Sequence, residues 1–273
     1  MDKKNRIIVL IDFSENSENL VDFAFTFSKI INAKVVLIHK TMSFVPAFSD
    51  QATRDEIIKS EIEEAYGNLR KFTKGRFHNP DSIIVSEKPL LTILNNISRD
   101  YYFDWVFTGL KDAGTIKKMV IGSTPITIVN DSDFLVVAIP LSTPVTLPKK
   151  LMVGVNHKYP LNKHQFNTVL RALKDQIREL EFFTIIKEDE DEMGISKGLL
   201  YLKEEYKDFN PFISFYKGRK NAFEILKEEV ALKENSFLVI QQGPRSFSDK
   251  IFRNFMINDL AYFGQFPFIV LSK

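Results

Sequence analysis

The sequence predicts an α/β protein built as two duplicated open parallel five-stranded sheets with helices on both faces. Three observations predict it. Short β-branched runs alternate with apolar residues at helical spacing, the pattern of strands joined by crossover helices. That alternation runs along the chain twice, as an internal duplication does. Between the two passages lies Pro140-Leu-Ser-Thr-Pro144-Val-Thr-Leu-Pro148. Prolines four residues apart can neither sustain a helix nor donate regularly to a ladder, so this segment reads as a semi-rigid linker. The predicted boundaries are 1–140 for the first domain, 141–148 for the linker and 149–273 for the second domain.

In the first passage, Ile7 to Ile11 form a continuous apolar run, as a strand covered on both faces requires. The run stops at Asp12, after which Ser14 and Ser17 offer helix caps. Leu20, Phe23, Ala24, Phe27, Ile30 and Ile31 lie on one face of the helix that follows. Val35 to Ile38 form the second strand, and a polar helical stretch covers roughly Arg54 to Phe72. Ile83 to Val85, Trp105 to Phe107 and Phe134 to Ile139 supply the remaining strands. Leu90 to Ile97 and a short segment after Gly122 supply the remaining helices.

The second passage repeats this order. Leu151 to Val155 form a strand ending at Asn156, where the first passage has Asp12. The helical face of Phe166, Val169, Leu170, Leu173 and Ile177 follows. The later strands are Phe182 to Ile186, Ile213 to Tyr216, Phe237 to Ile240 and Phe268 to Leu271, with a helix over Ala222 to Val230.

Composition narrows the function. Hydrophobic residues make up 44% and charged residues 26%, so the chain can bury a core instead of staying disordered. The net charge of +2 gives no electrostatic reason to expect nucleic acid or an anionic membrane. No apolar run is long enough to span a bilayer. The start lacks a signal-peptide pattern, and the absence of cysteine excludes disulfides and thiolate chemistry. The expected location is the cytoplasm.

In an open parallel sheet, ligands bind beyond the carboxyl ends of the strands, where strand order reverses. Asp12 directly follows the first strand and Gly109 directly follows the fourth. Gly122-Ser123-Thr124-Pro125 opens the last helix of the first domain. A loop running from one glycine to Gly-Ser at a helix start can offer backbone N–H groups to a phosphate. A carboxylate across the crevice can accept hydrogen bonds from a ribose or a base amine. The same residues also fit a structural account, in which Asp12 and Ser123 cap helices and Gly109 makes a tight turn.

The residues Ile7-Ile-Val-Leu-Ile-Asp12-Phe-Ser-Glu-Asn-Ser-Glu-Asn19 resemble the opening of universal stress proteins. Val35-Val-Leu-Ile-His39 resembles their second strand, and Asp104-Trp-Val-Phe-Thr-Gly109 their fourth. The interval from Gly109 to Gly122-Ser123 matches the spacing of their ATP loop. The resemblance covers the first half and, more faintly, the second. It implies the adenine nucleotide alpha hydrolase-like fold and a tandem regulatory protein of the stress response, not an enzyme.

It further implies ATP with Mg bound by the first domain through Asp12, Gly109, Gly122, Ser123 and Thr124. Two departures stand against that. Asp112 replaces the second loop glycine, with Gly114 two residues away, and Lys40 stands where ATP-binding members offer a small apolar residue. In the second domain Asn156 replaces the carboxylate, Gly243 matches the first loop glycine, and bulky Asn254 to Met256 occupy the place of the closing Gly-Ser. No nucleotide is expected there.

Members pair through their last strands, so Phe134 to Ile139 should meet Phe268 to Leu271 in an intramolecular pseudo-dimer, itself able to form a homodimer. The expected partners are an adenine nucleotide and an unidentified protein, with neither nucleic acid nor membrane.

Other candidates yield little. His39, His78, His157 and His164 have no metal-ligand spacing; His39 reads as a core histidine. No nucleophile elbow, P-loop or dinucleotide fingerprint is present. The acidic run after Lys187 reads as a solvated loop, and Lys111, Lys117 and Lys118 as groups able to steer an anion. Two alternatives stay open: an interaction module in which neither copy binds nucleotide, and a slow ATP hydrolase without a visible general base.

Overall fold

The structure, a computed structural model, describes residues 3–42, 46–77, 80–98, 101–110, 127–130, 132–141, 143–155, 160–186, 192–217, 222–231, 235–242 and 266–273. By packing, the chain divides into two compact units, Met1–Gly109 and Leu110–Lys273.

The first unit runs β1 (Lys4–Ile11), α1 (Ser17–Ile31), β2 (Lys34–Lys40), α2 (Gln51–Thr73), β3 (Ile83–Ser86), α3 (Leu90–Ile97) and β4 (Tyr102–Leu110). Its strands lie in the order β3-β2-β1-β4, all parallel. The chain steps outward from β1 to β3 and returns to the other side of β1 as β4, so strand order reverses between β1 and β4. Ile7, Ile8 and Val9 have no exposed surface, as the unbroken apolar run predicts for a strand covered on both faces.

Helix α1 buries Leu20, Val21, Phe23, Ala24, Phe27 and Ile31. Ile30, which the spacing assigns to the buried face, is 38% exposed; Val21 takes part in the face instead. The helix stops at Asn32, which adopts left-handed geometry at φ 50° and returns its N–H to Ser28. Asparagine tolerates that geometry better than most residues. Helix α2 buries only Ala65, Leu69 and Thr73, all in its second half. Asp50 caps it by accepting a hydrogen bond from the Thr53 N–H at 2.8 Å.

In the second unit, residues 127–130 are helical. There follow β5 (Leu135–Pro140), β6 (Lys150–Gly154), α4 (Lys163–Leu173), β7 (Glu179–Ile186), α5 (Glu192–Glu205), β8 (Phe212–Lys217), α6 (Ala222–Ala231), β9 (Ser236–Gln241) and β10 (Phe268–Leu271). The strand order is β5-β10-β9-β6-β7-β8. Among the described residues its pairings are parallel except β5 with β10, where Phe268, Ile269 and Val270 oppose Ala138, Val137 and Val136. The two last strands therefore meet, in the antiparallel sense. This pairing explains why β5, fifth strand of the first copy in sequence order, packs with the second unit. Pro140 ends β5, where its missing N–H costs the ladder least.

Helix α5 fills the place that the repeated order leaves between β7 and β8, to which the sequence assigned no residues; its first residue, Glu192, closes the run read as an acidic loop, and residues 187–191 lie outside those described. Strand register relates the two copies residue by residue. Arg6 pairs with Lys34 and Asp104, and Lys150 pairs with Glu179 and Ser236. Residue 6 thus answers to 150, 34 to 179 and 104 to 236.

Candidate functional site

The strand-order reversal of the first unit brings Asp12 and Gly109 to one rim. Leu10 stands opposite Thr108 in the parallel β1–β4 pairing, so both residues lie at the carboxyl end of the sheet. Gly122, Ser123 and Thr124, the other predicted site residues, lie outside the described residues. So do Lys111, Asp112, Gly114, Lys117 and Lys118.

Asp12 is exposed and organises the turn into α1. Its Oδ1 accepts hydrogen bonds from the Ser14 N–H at 3.0 Å and from the Ser17 hydroxyl at 3.3 Å. Both fall on one oxygen, and a carboxylate has about four acceptor positions, so the group keeps capacity for an incoming donor. Ser17 N–H returns to Ser14 at 2.9 Å, closing the turn in which Asp12 sits. Asp12 therefore organises the turn before α1 instead of capping the helix as the structural account had it, since the cap position is Asn16, and it leaves a second oxygen on the rim.

Gly109 is glycine because of a close approach. A Cβ at that position would lie 2.7 Å from Nδ2 and 3.2 Å from Cγ of Asn16. Asn16, nearly fully buried, thus packs its amide against β4 at the start of α1.

Beside Asp12, at the end of β2, sits His39. Its Nδ1 is 2.9 Å from the Ile11 carbonyl oxygen. The ring of Phe13 lies 4.2 Å from the imidazole, and Phe72 of α2 stacks on Phe13 at 5.9 Å. Phe13 has φ 57°, a left-handed geometry that bulky residues seldom adopt. Burial holds the imidazole below its ordinary 6.5, while the Ile11 carbonyl and the Asp12 charge pull the other way. His39 is thus a half-buried, hydrogen-bonded histidine, in line with its reading as a core residue. Two residues on, Thr41 is 5% exposed and its hydroxyl has no hydrogen-bond partner among the described residues. Lys40, between them, is half-exposed.

The second copy closes the corresponding edge with its own side chains. By register, Gly154 opposes Ile240 as Leu10 opposes Thr108. Gln241 therefore stands where the first copy has Gly109, which corrects the assignment of that place to Gly243. Spacing alone cannot see this, because the register is set by pairing partners some ninety residues away. Gly243 and Asn156 lie outside the described residues.

Gln241 accepts a hydrogen bond from the Asn162 N–H at 2.7 Å and donates to the Ser272 carbonyl at 2.7 Å. Asn162 caps α4 by accepting from the Gln165 N–H at 3.1 Å and donates its amide to the Ser272 carbonyl at 3.0 Å. Gln165 completes the plug, donating to the Ser272 hydroxyl and accepting from the Ser272 N–H, both at 2.7 Å. Gln242 donates to the carbonyls of Val129 and Asn130. None of these amides was singled out from the sequence. The signal was present only as Gln241-Gln242 at a strand end.

Two buried ion pairs were also missed. Arg6 grips Asp104 with two bonds, Nε to Oδ1 at 2.6 Å and Nη2 to Oδ2 at 2.8 Å. Lys150 lies 2.8 Å from Glu181 and 4.4 Å above the Phe212 ring. Glu181 has no exposed surface and also accepts from the Tyr216 hydroxyl. Among the described residues, no group of three or more His, Asp or Glu side chains could hold a metal ion. No helix among them is long and apolar enough to cross a membrane.

Comparison with known proteins agrees with this architecture. The model of the universal stress protein family matches residues 4–140. A universal stress protein from Archaeoglobus fulgidus DSM 4304 superimposes with a TM-score of 0.68 at 15% identity, covering 100% of this chain and 99% of that one. A functionally unknown protein from Pseudomonas aeruginosa PAO1 gives a TM-score of 0.55 at 10% identity, covering 99% and 92%. At these identities the structures show a shared fold. No curated protein matches the chain.

Proposed function

The chain belongs to the universal stress protein family, and on that premise we propose that it is a cytoplasmic regulatory protein of the stress response whose first copy binds an adenine nucleotide. The second copy binds none. One observation carries this reading: the strand-order reversal of the first unit keeps an exposed carboxylate on its rim, whereas amides fill the equivalent edge of the second.

The described residues fit the nucleoside half of such a ligand. Asp12 offers an acceptor for ribose hydroxyls or a base amine, and the buried Thr41 hydroxyl at the end of β2 is a polar group in want of a partner. The phosphate half falls to Gly122, Ser123 and Thr124, with Mg offsetting the charge of Asp112; these assignments follow from the resemblance. The nucleotide serves as a signal, and no general base is assigned.

Isothermal titration of the full chain with ATP and Mg tests the reading. Binding at one site per chain, weakened about tenfold or more by Asp12→Ala, supports it. A flat titration together with an unmoved melting temperature at millimolar ligand would reject it. The second reading, an interaction module without nucleotide, is favoured by Asn16, whose amide fills the space beside Gly109.

A further inference from the structure

We infer that His39 is a positioning residue for Asp12, and that it makes nucleotide affinity fall as the solution turns acidic. The inference rests on the nucleotide reading above and names how that site is regulated.

The geometry grips the segment Ile11-Asp12-Phe13 from both sides of the carboxylate. Before Asp12, the Ile11 carbonyl accepts a hydrogen bond from Nδ1 of His39 at 2.9 Å. After Asp12, the Phe13 ring lies against the same imidazole at 4.2 Å. Phe13 makes that contact from a left-handed backbone at φ 57°, a cost that the surrounding contacts must offset. Phe72 backs Phe13 from α2 at 5.9 Å. Asp12 is therefore held between two contacts made to one imidazole ring.

The hydrogen bond to a carbonyl fixes the neutral tautomer, with the hydrogen on Nδ1 and the basic lone pair on Nε2. The charged group that acts on the ring is Asp12. Lys40, the next residue of β2, points to the opposite face. Val85, the register partner of His39 on β3, and Phe72 on α2 carry no charge. At neutral pH the ring is uncharged and leaves the Asp12 carboxylate to accept from a ligand. Once Nε2 takes a proton, an imidazolium beside Asp12 attracts the carboxylate and competes with the donors of a ribose.

Titration of the full chain with ATP and Mg between about pH 5 and pH 8 tests this. Wild-type affinity should hold steady above 6.5 and fall about tenfold toward the acid end. His39→Phe keeps the ring stack but loses the donor. It should bind about fivefold more weakly at neutral pH and lose the pH dependence. His39→Asn restores a short donor and should recover the neutral affinity without the pH dependence.

A His39→Phe protein that binds as tightly as wild type, with the same acid slope, overturns the inference and spares the nucleotide reading. A wild-type chain that binds nothing at any pH overturns both. Should His39→Phe fail to fold, the imidazole of the wild-type chain decides by nitrogen NMR. A neutral ring protonated on Nδ1, with a midpoint that drops in Asp12→Asn, supports the inference, and a ring protonated on Nε2 defeats it.

Discussion

In the first copy, the cation at the start of the leading strand reaches across to β4; in the second, the cation at the same place reaches the other way. Arg6 binds Asp104, its register partner on the strand that follows α3. Lys150 instead binds Glu181 on β7, the counterpart of β2. Register places Glu181 where the first copy has Val36 and Ser236 where it has Asp104. Both halves thus keep a buried cation but differ in the neighbour that neutralises it. The carboxyl rims differ in the same manner: Gly109 admits the side chain of Asn16, at the cap of α1, whereas Gln241 supplies one. What the two halves share is the backbone register, and each satisfies its buried polar groups in its own way.

The largest effects should come from the buried cations. Arg6→Met strands the Asp104 carboxylate, whose described partner is that guanidinium, and should cost about 3–5 kcal/mol in urea unfolding. Lys150→Met should cost less, roughly 3 kcal/mol, because Tyr216 still donates to Glu181. Equal costs would break the contrast between the copies.

Acid sharpens it. Burial pushes the Glu181 carboxyl up, but hydrogen bonds from Lys150, Ser214 and Tyr216 outweigh it and hold the group below its ordinary 4.5. The folded chain therefore binds this proton less readily than the unfolded chain. The resulting stability is complete above 4.5 and disappears as pH falls through the folded value. Glu181→Gln should flatten that part of the stability profile.

Next come the two rims. Gln241→Ala removes the acceptor of the Asn162 N–H and leaves the Ser272 carbonyl with the Asn162 amide as donor, and should cost about 2 kcal/mol. Gly109→Ala pushes a methyl group into the Asn16 amide and should cost about 1–2 kcal/mol. Combining it with Asn16→Ala should recover about 1 kcal/mol, a coupling that a double-mutant cycle measures. Additive losses would mean that Asn16 is not what requires glycine there.

These residues mark the limit of what the sequence reveals. Strands and helices were legible because apolar periodicity is local: the Ile7–Ile11 run and the α1 face both appear where the spacing puts them, apart from Ile30. The meeting of β5 with β10 came from family resemblance, since no local pattern reports it. Asp12 was legible because it ends a strand. The reason for Gly109, the plug at Gln241 and the charge pairs at Arg6 and Lys150 were not. Each depends on a partner brought alongside by sheet register or helix packing, such as Asp104, 98 residues from Arg6. Buried charges are rare enough that an isolated Arg or Lys at a strand start reads as a surface residue.

The smallest effects belong to the surface ties between the first two helices of each copy, and here too the charges trade places. In the first copy, Lys74 at the end of α2 lies 2.5 Å from Glu18 and 3.7 Å from Asp22 on α1. In the second copy the lysine is on the first helix: Lys163 of α4 lies 2.7 Å from Glu205 of α5 and 4.6 Å from the Tyr201 ring. Water and salt screen both ties, so neither contributes what a buried pair does. Lys163, partly covered and resting on an aromatic ring, should matter more, and Lys163→Ala should lower stability by about 1 kcal/mol or less. Lys74→Ala should change the melting temperature less than Lys163→Ala does, and its small effect should vanish in concentrated salt. A Lys163→Ala loss that persists undiminished in the same salt would show that packing of the lysine stem on Tyr201, not charge, joins these helices.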